Sequence, residues 1–200
     1  MAIKTDSVCR KCRRYGMKLY LKGQKCYTEK CPFEKRPFPP GVHGKSRRFA
    51  RVSDYAVRFF EKQKLKNYYF MREEQFRRFF EMAQKAKGNT GTKLLELLER
   101  RLDNVVFRSG FALSRRNARI LVSHGHVKVN GIKTDIPSYI VDVGDEVEIE
   151  KELLPQNSAA KLPSWIEKID DAKIKITRLP ERQDFDLKIN ESYIIEFYSR

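Results

Sequence analysis

All four cysteines of the chain, Cys9, Cys12, Cys26 and Cys31, fall inside its first 31 residues. They constrain that region because little else there can build a core. Residues 1–50 lack regular apolar periodicity and are rich in Lys, Arg, Gly and Pro, so the segment reads as an irregular arm that needs a staple or a partner to become ordered. The spacing is C-x2-C, thirteen residues, then C-x4-C. The first pair suits a knuckle in which two thiolates meet one tetrahedral zinc, and the second is at the wide end of the usual range. One structural zinc on Cys9, Cys12, Cys26 and Cys31 is the favoured reading, since structural zinc contributes about 10–16 kcal/mol of apparent binding energy in small fingers. Two disulfides or four idle thiols are the alternatives; clustering speaks against idleness and a reducing compartment against disulfides.

Charge is the second constraint. The formal net charge of +16 lies wholly in the first half: successive blocks of fifty carry +11, +5, 0 and 0. A chain so lopsided reads as a binder of nucleic acid or of an anionic membrane. No apolar run approaches the ~18 residues that span a bilayer, and "MAIKTDSVCR" has no signal-peptide core. Nucleic acid is therefore the expected partner, with no membrane and a cytoplasmic location.

Regular structure is expected from Ser53, a helix cap, through "DYAVRFFEKQKLKNYYF". A second helix over about 73–87 stacks Phe76, Phe79, Phe80 and Ala83 and ends before Gly88. Thr92 is positioned to cap a third helix, "KLLELLERRLDNVVFRS", with Leu94, Leu95, Leu98, Leu102, Val105 and Val106 as its buried stripe. A fourth runs from Ser114 to Gly125. Asn130-Gly131 in "HVKVNGIKTDI" suits a two-residue type I′ hairpin. Its register pairs Val129 with Ile132 and Lys128 with Lys133, placing Val127, Val129 and Ile132 on one face and two ammonium groups opposite each other on the other. Like charges across a ladder are destabilising, so either the lysines splay into water or an anion lies across them. "YIVDVGDEVEIE" adds strand on both sides of a Gly-Asp turn, Ile174–Ile176 another strand, and residues 152–163 a linker. The tail "NESYIIEFYSR" reads as a short helix behind an Asn190 cap.

Arg115, Arg116 and Arg119 gather on the first turns of the fourth helix, whose N-terminus itself attracts phosphate. With Lys128 and Lys133 they make a compact cationic surface suited to phosphate contacts, which give affinity and a steep salt dependence. A charged helix face is as often merely solvated. His124 and His126 flank Gly125; a helix end and a strand start account for them, and they adjoin the same surface. Lys45, Arg47, Arg48 and Arg51, with Phe49 interleaved, form a basic linker able to order on RNA and stack a base. Arg10, Arg13 and Arg14 add cations around the cysteines.

"RLDNVVFRSGFALSRRNARILVSHGHVKVNGIKTDIPSYIV" (101–141) closely resembles the RNA-binding module named after small-subunit ribosomal protein S four. "KRPFPPGVHG", "SDYAVRFFEKQKLKNYY", "RLPER" and "NESYIIEFYSR" extend the resemblance to that bacterial ribosomal protein family from end to end, and the four cysteines fall where its zinc-type variant carries them. The resemblance implies an α+β protein: a zinc-binding basic arm (1–49), a helical domain (50–92, completed by 177–200), and a domain with an antiparallel sheet (93–176) holding the module at about 101–150. It implies a structural role without catalysis or a small-molecule substrate: direct binding to a junction in the 5′ domain of small-subunit ribosomal RNA, nucleation of assembly, contact with ribosomal protein S five at a surface affecting decoding accuracy, and a place beside the mRNA entry channel. Arg48 and Arg51 resemble the family's channel-lining cations. Linker 152–163 is shorter than the family's charged helical insertion. An RNA-modifying enzyme or a free stress or ribosome-rescue factor shares the module, but the first needs a catalytic domain for which no segment is left over, and the second lacks the arm and helical domain.

Overall fold

The computed structural model describes residues 7–45, 52–155 and 162–199. The chain divides into two compact units, Met1–Arg78 with Ile189–Arg200, and Phe79–Lys188. The division falls at 78/79 and 188/189. Phe79, Phe80 and Ala83, in the second half of one helix, are buried and belong to the second unit.

The first unit holds α1 (Val8–Tyr15), α2 (Pro32–Lys35), α3 (Asp54–Tyr68), the start of α4 (Glu73–Lys85) and α8 (Glu191–Tyr198). The arm is more regular than its composition suggests. Val8, Leu19 and Leu21 are buried with Cys12, Cys26 and Cys31, so spacing that follows neither helix nor strand period still yields a small interior. The arm docks on α3: Lys11 Nζ donates to Asn67 Oδ1 at 2.7 Å, and Asn67 Nδ2 donates to the Tyr15 hydroxyl at 2.8 Å. Ser53 caps α3 by accepting from the Ala56 N–H, and Asn190 caps α8 by accepting from the Ser192 N–H. α8 lies on α3 as expected, with Phe197 against Tyr55 and Phe59 and an Arg58–Glu196 ion pair. Buried Lys62 sits 4.3 Å from the Phe197 ring centroid and, with Lys66, binds Glu73. Partial burial pushes the Glu73 carboxyl up, but the two ammonium groups outweigh it and hold its pKa at about 2.

The second unit holds the rest of α4, then α5 (Thr90–Glu99), α6 (Leu102–Arg108), α7 (Arg115–Ser123) and five strands: β1 (Val127–Val129), β2 (Ile132–Lys133), β3 (Glu146–Ile149), β4 (Ile166–Asp170) and β5 (Lys173–Ile176). The strands form one antiparallel sheet in the order β2-β1-β3-β5-β4. Its core gathers Leu102, Val105, Val106, Ala118, Val122, Val127, Val147 and Ile174 around Trp165, which is fully buried.

Three expectations need correction here. The single helix over 93–109 is two helices, because Arg101 is extended (φ −63°, ψ 135°). Residues 137–141 take over the backbone bonds at that break: Leu102 N–H donates to Tyr139 O, Asp103 N–H to Pro137 O, and Val141 N–H to Arg100 O. That also explains why the first half of "YIVDVGDEVEIE" is no sheet strand; Ile140 makes an isolated bridge to Arg101. α5 is capped by Asn89, whose Oδ1 accepts from Gly91 and Thr92, rather than by Thr92. β4 carries no apolar alternation that would have announced it, being Ile-Glu-Lys-Ile-Asp with four exposed residues. Among the described residues, no helix is long and apolar enough to cross a membrane.

Candidate nucleic-acid interface

The hairpin has the register its turn dictates. Asn130 and Gly131 are both left-handed (φ 51° and 79°), and Lys128 faces Lys133 as Val129 faces Ile132. Ile132 shares the face of Val127 and Val129 through that pairing, but the two valines are buried while Ile132 is 72% exposed. β2 is a two-residue edge strand, so its side chains have a neighbour on one side only. Across β1's other edge Lys128 faces Glu148, which in turn faces Lys173. The row Lys133–Lys128–Glu148–Lys173 therefore carries an anion that the hairpin alone did not reveal.

Lys133 finds relief of its own. A Cβ added to Gly125 would stand 2.3 Å from Lys133 Cε, so the lysine stem lies across the glycine that ends α7. Gly125 is left-handed (φ 75°) and lacks a side chain, and both properties are used. The ammonium group thereby lies at the helix's negative end, where a cation is favoured. Gly125, His126, Lys128, Lys133, Glu148 and Glu150 line a cleft of about 240 Å³. His126 Nδ1 lies 2.9 Å from Glu150 Oε2, and the His124 ring centroid is 6.2 Å from that of His126.

The three arginines of α7 do not share one fate. Ser114 caps the helix by accepting from the Asn117 N–H at 3.2 Å. Arg116 is exposed, as expected of a phosphate contact. Arg119 is half-buried, with a nitrogen 3.4 Å from Asp103 Oδ2. Arg115 is 4% exposed, a correction to its expected place on the surface. Its Nε donates to Asn104 Oδ1 at 2.8 Å, and its guanidinium lies 4.5 Å from the Phe107 ring centroid.

Arg115 is in fact the rim of a buried polar network that sequence reasoning missed. Arg108 grips Glu99 with Nε and a terminal nitrogen, both at 2.9 Å, and pairs with Asp186 as well. Asn104 Nδ2 donates to the same Glu99 carboxylate at 2.7 Å. Arg101 grips Asp103 through two bonds of 3.0 and 2.6 Å and lies over Phe79. Glu99 and Arg101 are fully buried. A signal was present: "ERRLDN" and "FRS" place these charges within the stretch that holds the apolar stripe Leu102, Val105 and Val106.

In the first unit, Arg10 and Lys45 are exposed. Arg13 donates to the carbonyls of Phe38 (3.0 Å) and Pro39 (3.4 Å), tying the Pro-rich loop to α1. Arg14 lies over the Phe60 ring, and Lys45 near that of Phe38. Arg47, Arg48 and Arg51, with Phe49, lie outside the described residues.

All four cysteines are free thiols and line one small pocket. Leu19 N–H points at Cys12 Sγ (3.5 Å) and Lys22 N–H at Cys26 Sγ (3.4 Å), while burial pushes both thiols above their usual range. The donor set fits zinc in kind. As placed, no group of three or more His, Cys, Asp or Glu among the described residues is arranged to hold a metal ion.

A cationic helix–hairpin face on an antiparallel sheet in one unit, and a basic four-cysteine arm in the other, define a basic α+β protein. Residues 4–99 match the family described as ribosomal protein S4/S9 N-terminal domain, and residues 100–147 match the S4 domain. The chain is 52% identical over 202 aligned positions to small ribosomal subunit protein uS4 of Caldicellulosiruptor saccharolyticus, spanning 96% of each. It is 50% identical over 208 positions to that of Dictyoglomus turgidum, spanning all of both, and 54% identical over 203 to that of Thermus thermophilus, spanning 96% of this chain and 97% of the relative. The chain belongs to the uS4 family of small ribosomal subunit proteins.

Proposed function

We propose that this chain is a structural, non-catalytic component of the cytoplasmic small ribosomal subunit that binds its ribosomal RNA directly. The observation that carries this is similarity at about half identity over the whole chain to proteins named for that subunit. The exposed cations Arg116, Lys128 and Lys133 supply a chemistry that fits: charges on a short helix and a hairpin hold phosphates by position and screening, giving affinity without base reading. Binding to the 5′ domain nucleates assembly; Arg10, Arg14, Lys45 and the stretch of Arg47, Arg48 and Arg51 extend the clamp, the last two toward the mRNA entry channel. Contact with ribosomal protein S five ties the chain to decoding accuracy. These finer assignments rest on the family resemblance of the motifs.

One zinc ion on Cys9, Cys12, Cys26 and Cys31 staples the arm. The support is four thiols around one pocket and two backbone N–H groups aimed at sulfur, which partly offset the burial that holds these thiols protonated until a metal displaces the proton. When bound, the ion supplies a structural crosslink and no reaction. Elemental analysis of protein purified under reducing conditions will give one zinc per chain; none would remove the assignment. For the RNA reading, crosslinking in growing cells followed by sequencing of the attached RNA will return the 5′ domain of small-subunit rRNA. Reads dominated by large-subunit rRNA or tRNA would refute it in favour of a rescue or modification factor.

A further inference from the structure

We propose that Tyr27, braced by Tyr20, is a stacking platform for one unpaired RNA base. The proposal deepens the RNA reading above and rests on it. Tyr27 is 70% exposed, yet its ring is held: it stacks on Tyr20 with centroids 4.9 Å apart and planes at 28°. Its backbone is fixed too, closing the turn Gly23–Cys26 with its N–H on Gln24 O at 3.0 Å. Tyr20 is left-handed (φ 51°), a conformation unfavourable for an L-residue that persists where surrounding structure over-determines it, often at functional positions.

The surroundings choose the ligand. Between residues 18 and 35 there are five lysines and two glutamates. Lys22, Lys25, Lys30 and Lys35 are exposed, while Lys18 pairs with Glu34 at 2.5 Å. In that stretch Tyr27 is the one exposed large apolar side chain. A protein-docking patch needs contiguous apolar area; a single exposed ring in a lysine-rich stretch lacks it. Aromatic rings set among cations are how single-stranded nucleic acid is held, each base stacking by its π-face while the cations follow the backbone. Beside the ring opens a cleft of about 380 Å³, lined also by Lys18, Thr28, Glu29, Glu34 and Lys35, which offers hydrogen-bonding groups to the edge of a stacked base.

The test uses full-length protein and a transcript of the small-subunit rRNA 5′ domain, with Tyr27→Ala, Tyr27→Leu and Tyr27→Phe compared by titration across a salt series. Stacking on an aromatic side chain predicts that Ala and Leu weaken binding about 5- to 150-fold. Phe stays within about twofold, and the salt slope is the same in all, because stacking releases no counterions. Should the Ala variant fold poorly, the Leu and Phe variants carry the test. Wild-type affinity in the Leu variant overturns the platform alone, as does a Phe variant as weak as Leu, which would assign the effect to the hydroxyl. A wild-type protein that does not bind the transcript overturns both the platform and the RNA reading.

Discussion

Replacing Glu99 with Ala tests whether the arginines around it are interior parts or surface cations. The Glu99 carboxylate is fully buried and receives Arg108 Nε, an Arg108 terminal nitrogen and Asn104 Nδ2 at 2.9, 2.9 and 2.7 Å. Removing one partner of a buried ion pair leaves the other charge in low dielectric and costs about 3–5 kcal/mol. Asp186, mostly exposed, stays with Arg108 and places the expectation near 3 kcal/mol. The chain's single tryptophan, Trp165, is buried in the same unit, so its fluorescence during urea unfolding reports on that unit. With a slope of about 1.5 kcal/mol per molar for a domain of this size, the midpoint falls by about 2 M. Replacing both Glu99 and Arg108 with Leu removes both charges and recovers at least half of the loss. Below its unfolding midpoint the single variant keeps the wild-type salt slope for RNA. A loss under about 1 kcal/mol, the range of an exposed pair, or a double variant no more stable than the single, would refute the interior assignment.

Other consequences are as direct. Replacing Lys128 and Lys133 together with Ala weakens binding to the rRNA 5′ domain and makes the salt slope shallower by up to about two; Arg115→Ala leaves the slope unchanged and lowers the urea midpoint instead. Glu73→Gln destabilises the first unit at pH 7 by about 1 kcal/mol, a figure reduced for the carboxylate's partial exposure. Because the folded pKa is about 2 and the unfolded value 4.5, that stabilisation is complete above pH 4.5 and lost as pH falls toward 2, so the melting curves of wild type and variant converge in acid. Gly125→Ala costs about 1–2 kcal/mol for the left-handed backbone and evicts the Lys133 stem, seen as a shifted Lys133 side-chain NMR signal.

What the sequence made legible was local. Asn130-Gly131 set a register, and Ser53, Ser114 and Asn190 set helix starts, because each rests on chemistry within a few residues. The break at Arg101 was hidden since Leu98, Leu102 and Val105 keep one apolar stripe on both sides of it, and the bonds that cause it come from residues 137–141. Arg115 was read as surface because its partners, Asn104 and Phe107, are supplied by another helix. Glu148 entered the lysine row through a strand pairing that no turn announces. The cysteine spacing grouped four residues that line one pocket but said nothing of Val8, Leu19 and Leu21, buried in the same arm.

The buried network has a consequence for how the module meets its ligand. Of its six arginines between residues 100 and 119, Arg116 alone is exposed; the hairpin's outward charges are lysines. Guanidinium is a rigid planar fork that demands a partner in one orientation, whereas ammonium is a point charge on a pliant stem. The unit is thus exacting where it holds itself together and tolerant where it touches phosphate. A displacement of a bound phosphate by an ångström costs the lysines little, while Arg→Lys at 101 or 108 breaks a geometry that no pliant stem restores.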